Sequence, residues 1–329
     1  MKIAIVKVSS LGDIVHTMVV LQFIKKHYPL SEVDWIVEER FQDILEGNPS
    51  INQIHTINLH EAKKNKSLKL LFIELKKVRS FGVYDLVIDF QGLIKTAIIS
   101  RLLGCKKIVG FDSNSIREMI ASYAYNENVS IGYDKNTILR NVKLVSEALN
   151  IEITKDEIIN KKLFLFSKSK LLIPKSPFII LVASSGWESR NYPKEKYVEV
   201  ANILKKDCLI LWGNDKERQK AEWMTSKSKY IKILPKLNLD DLKYVISRAS
   251  LLIGNDTGPS HMSWALNIPS IVLFGPTPTE RSFQTPINIV LASNSKINHR
   301  KLDKKDFSIK EINVNDVVKI AKKLLKVDI

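Results

Sequence analysis

Residues 251–277 read Leu-Leu-Ile-Gly-Asn-Asp-Thr-Gly-Pro-Ser-His-Met-Ser-Trp-Ala-Leu-Asn-Ile-Pro-Ser-Ile-Val-Leu-Phe-Gly-Pro-Thr. Leu251 to Ile253 is an apolar run that predicts a buried strand ending at Gly254. Asn255 to Ser260 then makes a tight turn, and His261, Met262, Trp264, Ala265 and Leu266 follow at helical spacing. A second apolar strand, Ser270 to Phe274, runs into Gly275-Pro276-Thr277. The unit is therefore strand, loop, helix, strand, with its first loop ending where a helix begins. Unpaired N–H groups and the helix dipole favour an anion there, above all phosphate. Thr257, Ser260 and His261 add side-chain donors. A simple helix cap by Asp256, Thr257 or Ser260 is the competing explanation. It accounts for neither the glycines, nor the histidine, nor the second Gly-Pro-Thr loop. The stretch reads as a diphosphate site.

The same alternation extends in both directions. Residues 3–8 form an apolar strand leading through Ser9-Ser10-Leu11-Gly12-Asp13 into a helical pattern that runs to His27-Tyr28-Pro29. One glycine in that turn leaves the dinucleotide fingerprint incomplete, which counts against a nicotinamide-dependent oxidoreductase. Asp13 sits at the helix start, as an N-cap or as a general base at the carboxyl end of a parallel sheet. Further strands are expected at Asp34–Val37, Gln53–Ile57, Leu86–Phe90 and Lys107–Phe111, with helices at Ser67–Arg79, Leu93–Leu103 and 137–149. Gln91-Gly92 and Arg117 fall after strand ends, where ligands bind. The lysine-rich stretch from Asn150 to Pro177 reads as a domain boundary.

The second half repeats the strategy. Strands are expected at Phe178–Ala183, Cys208–Trp212, Tyr230–Leu234, Leu251–Gly254, Ser270–Phe274 and Asn288–Leu291, with helices at Lys194–Lys205, Glu217–Thr225 and Asp240–Ser247. Ser184-Ser185-Gly186 and Trp212-Gly213-Asn214-Asp215 follow two of these strands, so three strand ends carry small or polar loops pointing one way. The domains are expected at 1–165 and 166–315. A C-terminal helix over 316–329 is expected to pack back on the N-terminal domain.

Composition agrees with a two-domain α/β protein of 329 residues, 45% of them hydrophobic. No apolar stretch approaches the ~20 residues of a membrane helix. The start is strand-like rather than signal-like, and Cys105 and Cys208 suggest no disulfide framework, so a cytoplasmic setting is expected. Net charge is +16, with 23 basic and 19 acidic residues in 1–165 against 28 and 16 in 166–329. Such a field attracts nucleic acid, anionic membrane or a phosphorylated substrate. Lysine-rich coding alone would raise the charge as well.

The motifs resemble those of the ADP-heptose:lipopolysaccharide heptosyltransferase family. The match runs through Ile5-Val6-Lys7-Val8-Ser9-Ser10-Leu11-Gly12-Asp13, Asp34-Trp35-Ile36-Val37-Glu38-Glu39, Tyr84 to Leu93, Leu234-Pro235-Lys236, Asp256-Thr257-Gly258-Pro259-Ser260-His261 and Phe274-Gly275-Pro276-Thr277. The Lys-x-Ser-Ser-x-Gly-Asp and Asp-x-Gln-Gly segments favour the heptosyltransferase I branch over II. The resemblance implies a GT-B architecture, two Rossmann-like doubly wound parallel-sheet domains facing across a cleft. It also implies inverting transfer of heptose from ADP-L-glycero-β-D-manno-heptose to the first Kdo of Kdo2-lipid A. Carried over, Asp13 becomes the base. Ser184, Ser185, Arg190, Trp212, Glu217, Leu237, Asp256, Thr257, Gly258 and His261 fall to the donor. Ser10, Gly12, Lys64, Gln91, Gly92 and Arg117 fall to the acceptor. Arg190 stands where the family commonly has lysine; it keeps the charge and can grip phosphate bidentately.

With no Asp-x-Asp motif and no ligand-spaced cluster, no metal or other cofactor is expected. The enzyme is expected to work peripherally on the anionic cytoplasmic face of the inner membrane, the positive charge meeting the lipid surface. A heptosyltransferase for a different core acceptor is the nearest alternative. A basic nucleic-acid-binding protein is a more distant one, weakened by the lack of interleaved aromatic platforms.

Overall fold

The computed structural model describes residues 1–326. The chain divides into two compact units, Met1–Phe164 and Leu165–Ile329. The first holds six strands: β1 (Lys2–Val6), β2 (Glu32–Glu38), β3 (Gln53–Ile57), β4 (Val83–Asp89), β5 (Gly104–Phe111) and β6 (Glu127–Val129). They form one parallel sheet in the order β3-β2-β1-β4-β5-β6. The second unit holds β7 (Ile179–Val182), β8 (Cys208–Ile210), β9 (Ile231–Ile233), β10 (Leu251–Asn255), β11 (Ser270–Phe274) and β12 (Asn288–Ala292). Its sheet is also parallel, in the order β12-β11-β10-β7-β8-β9.

The two sheets share one winding scheme: the chain begins on a central strand, moves outward on one side, then returns and fills the other. Strand order reverses between β1 and β4, and again between β7 and β10. Loops diverge there at the carboxyl ends, where open α/β sheets bind ligands. Helices cover both faces, so the central strands are apolar on both sides instead of alternating. Every residue of β7, β8, β10 and β11 is buried.

The edge strand β6, paired with β5, was not expected from the sequence, because its polar Glu127-Asn128 gives no apolar run to read. The helix at Val314–Leu324 packs in the core of the second unit. Its Val317, Val318, Ala321 and Leu324 are buried in the core with Ile271, Leu273, Tyr197 and Ala201. Each large aliphatic side chain buried this way contributes about 1.5–3 kcal/mol, enough to hold the helix on that domain. The last three residues of the expected helix, 327–329, lie outside the described residues. Among the described residues, no helix is long and apolar enough to cross a membrane.

Candidate active site

In the first unit, β1 delivers the chain to Ser9 and Ser10, and the helix Leu11–Met18 starts immediately after. Ser10, not Asp13, is the N-cap residue. Asp13 stands at the third helical position, and its Oδ2 accepts both the Ser10 N–H at 3.1 Å and the Ser10 hydroxyl at 2.7 Å. A carboxylate so placed also sits well in the field of the helix start.

The neighbouring loop after β4 is fixed from beneath. Asp89 is fully buried, and its Oδ1 accepts the N–H groups of Gln91 at 2.8 Å and Gly92 at 3.3 Å, while Oδ2 accepts the Tyr125 hydroxyl at 2.9 Å. Burial pushes the Asp89 carboxyl up, and these donors pull against that shift. Gly92 has φ +65°, and a Cβ there would lie 2.5 Å from Ile116 Cγ2, so the turn requires glycine. The turn aims Gln91 Oε1 at the Ser9 N–H, 3.2 Å away. Ser10, Gly12, Asp13, Gln91 and Gly92 thus meet at the β1–β4 switch point.

A cavity of about 620 Å³ opens beside them. Ser9, Glu38, Arg40, His60, Lys63, Lys95 and Glu118 supply its polar lining, and Leu59, Leu71, Leu75, Leu93, Ile94 and Ile98 its apolar wall. Lys64 and Arg117 are exposed and stand outside this lining, each one residue from a side chain that is in it. Glu38 is 3% exposed; desolvation pushes its carboxyl up against the His60 N–H bond and the charges of Lys95 and Arg40. Glu38, Arg40, Lys63 and Lys95 were not singled out from sequence. The signal available for Glu38 was its place as the last residue of a strand at the carboxyl edge.

In the second unit, a cavity of about 260 Å³ lies over the β7–β10 switch point. It gathers Ser184, Ser185, Gly186, Trp212, Gly213, Glu217, Leu237, Thr257 and Pro259, including six of the residues assigned to the donor from sequence. Glu217 is tied to its loop, its carboxylate accepting the Gly213 N–H at 2.7 Å and Asn214 Nδ2 at 2.8 Å. Trp212 Nε1 donates to the Leu234 carbonyl at 2.7 Å, which fixes the indole plane at the cavity. Asn191 Oδ1 accepts the Ser185 N–H at 2.8 Å and is 3.4 Å from Asn255 Nδ2, so it laces the β7 loop to the end of β10.

Behind Thr257 stands a buried charge cluster. Asp256 is 1% exposed; its Oδ1 lies 2.9 Å from His261 Nε2. Its Oδ2 takes Arg190 Nη1 at 3.2 Å, the Thr277 hydroxyl at 2.8 Å and Arg281 Nε at 3.6 Å. Burial alone would raise this carboxyl, but the His261 hydrogen bond and the charges of Arg281, His261 and Arg190 hold it well below the usual range. Thr277 and Arg281 extend the cluster beyond the residues expected. The helix Gly258–Ala265 begins here with no side-chain cap, and Ser260 turns its hydroxyl inward to the Asn255 carbonyl at 2.7 Å. Simple capping by Asp256, Thr257 or Ser260 is therefore not what the turn is for. Arg190 Nε is buried without a hydrogen-bond partner, as a donor reserved for an anion would be. Arg190, Asp256, Gly258 and His261 are not in the cavity lining; three of them brace the loop that is.

Residues 75–311 match glycosyltransferase family 9 (heptosyltransferase). The chain is 36% identical to lipopolysaccharide heptosyltransferase 1 of Campylobacter coli over 98% of this chain and 99% of that one. It is 27% identical to lipopolysaccharide heptosyltransferase 1 of Escherichia coli K12, covering 84% and 88%. The solved structure of E. coli heptosyltransferase WaaC with ADP superposes with a TM-score of 0.82 at 22% identity, over 98% of this chain and all of that one. The fold is thus of GT-B type, and the chain belongs to glycosyltransferase family 9, the heptosyltransferases.

Proposed function

We propose that this glycosyltransferase moves L-glycero-D-manno-heptose from ADP-heptose to the first Kdo of Kdo2-lipid A, with inversion, on the cytoplasmic face of the inner membrane. The observation that carries the donor half is the uncapped helix start at Thr257-Gly258 with the orphaned Arg190 Nε behind it, a setting built for a diphosphate. Relatives named lipopolysaccharide heptosyltransferase 1 support the acceptor class.

In this reading Asp13 removes the proton from the acceptor hydroxyl. The resulting oxygen forms a bond to the anomeric carbon on the face opposite ADP, and the bond from that carbon to the diphosphate oxygen breaks. Negative charge then grows on the departing ADP. Arg190, braced on Asp256, and the amides of the helix start offset that charge and so stabilise the transition state. Ionised Asp256 keeps Arg190 and His261 in register. Glu217 meets the ribose, and Trp212 and Leu237 border the adenine. On the acceptor side, Arg40, Lys63 and Lys95 place positive charge where carboxylate sugars would lie. The reaction proceeds without an essential metal.

Incubating the protein with ADP-heptose and Kdo2-lipid A, then weighing the lipid by mass spectrometry, tests the proposal. One added heptose supports it. Addition only to a lipid that already bears heptose would move the enzyme to a later core step.

A further inference from the structure

The helix Leu68–Val78 carries seven apolar side chains in eleven residues, yet only Val78 is buried. Leu68 is 81% exposed, Phe72 70% and Ile73 47%. A helix with this composition normally turns its apolar stripe to a core; here that stripe faces outward. It is not alone. Met119, Ile120 and Tyr123, on the short helix Met119–Ala124, are 53%, 68% and 84% exposed. The helix Ile94–Leu102 lies between the two, tied to the latter's approach by the Ile94 N–H bond to Glu118 at 2.8 Å.

These exposed groups are continuous with the 620 Å³ cavity. Leu71, Ile94 and Ile98 are exposed at the surface and also line it. One apolar surface therefore runs from the outside of the domain down to the polar groups at the carboxyl ends of the strands. Its border is basic: residues 61–79 hold seven lysines and arginines against two glutamates. Apolar side chains fringed by lysine match an anionic lipid leaflet, the apolar groups entering the acyl boundary and the ammonium groups meeting phosphates. A soluble protein partner would need neither the one-sided charge nor a continuous path into a ligand cavity.

We infer that the Leu68–Val78 helix and the Met119–Ala124 turn bed into an anionic bilayer, so that a lipid-anchored acceptor reaches the cavity without leaving the membrane. This deepens the proposed function and rests on its acceptor assignment. Phe72→Cys or Ile120→Cys in a Cys105→Ser background, labelled with an environment-sensitive fluorophore, tests it directly. Added phosphatidylglycerol vesicles should shift the emission to the blue, phosphatidylcholine vesicles much less, and a label at Leu172→Cys in the second unit not at all. The triple variant Leu68→Ser, Phe72→Ser, Ile73→Ser should lose about tenfold or more in partition to the anionic vesicles. It should still heptosylate a deacylated, water-soluble acceptor as fast as wild type.

Unshifted labels at 72 and 120 would overturn the inference. So would undiminished partition of the triple variant, or a shift that tracks protein concentration without vesicles and so reports a second copy of the chain. Wild type that binds vesicles through these residues but transfers to no Kdo acceptor would sink the acceptor assignment and leave the bilayer surface standing.

Discussion

Asp13 and Ser10 form a closed pair in which one carboxylate oxygen accepts both the backbone N–H and the hydroxyl of the same residue, at 3.1 and 2.7 Å. The pair ties the first helix to the loop after β1 and orients the carboxylate. Ser10→Ala keeps the N–H bond and removes the hydroxyl, so it separates the two tasks. Stability should fall by about 1 kcal/mol, as for other lost caps, read as a lower urea midpoint. Turnover should fall far less than when Asp13 itself is replaced.

Asp256 makes folding depend on pH in a definite direction. Its folded carboxyl is held well below its unfolded value of about 3.9. The unfolded chain therefore binds the proton first as pH falls. The stabilisation is complete above that unfolded value and is withdrawn as pH drops from there toward the depressed folded one. Urea midpoints measured from pH 6 to pH 3 should decline in wild type. In Asp256→Asn the decline should be shallower. At pH 7 the variant should be less stable by about 3–5 kcal/mol, because Arg190 and Arg281 lose the carboxylate that pairs with them.

Gly254 is needed for close packing rather than for backbone freedom. A Cβ there would lie 2.5 Å from Ser260 Oγ and 2.7 Å from Val182 Cβ. Gly254→Ala should cost about 1–3 kcal/mol and push β7 from β10 at the donor loop. Calorimetric titration should show ADP binding weakened along with the unfolding midpoint.

If cationic side chains and helix amides offset the charge on departing ADP, transfer should survive an excess of EDTA. Arg190→Lys should keep part of the rate, since charge remains while the planar fork is lost. Arg190→Ala should lose about 10²-fold or more, in the range found for removing one preorganised donor. Loss of wild-type activity in EDTA, restored by a divalent cation, would contradict this.

The parallel sheets were legible because their central strands are uninterrupted apolar runs, and because small polar loops follow β1, β4, β7, β8 and β10. Ser184, Ser185, Trp212 and Thr257, which line the cavity of the second unit, were legible for the same reason, since they sit at or just past strand ends; Glu217 and Leu237, in the same lining, were reached only through the family resemblance. Arg281 and Asn191 were not, since an arginine or asparagine in an irregular loop looks the same whether it points inward or to water. Lys64 and Lys63 are equivalent in sequence, and only the helical phase of residues 59–64 chooses Lys63 for the cavity. The exposed stripe of Leu68, Phe72 and Ile73 was hidden for a related reason. Periodicity reveals that a helix has an apolar face, but not that the domain leaves the face uncovered.

The most direct measurement is heptose transfer from ADP-heptose to Kdo2-lipid A by wild type beside Asp13→Ala, with ADP-heptose binding followed in both. The account predicts transfer by wild type, a loss of about 10²–10⁴-fold in the variant, and retained donor binding. Equal turnover by the two proteins would reduce Asp13 to the helix-start partner of Ser10 and contradict its role as the base.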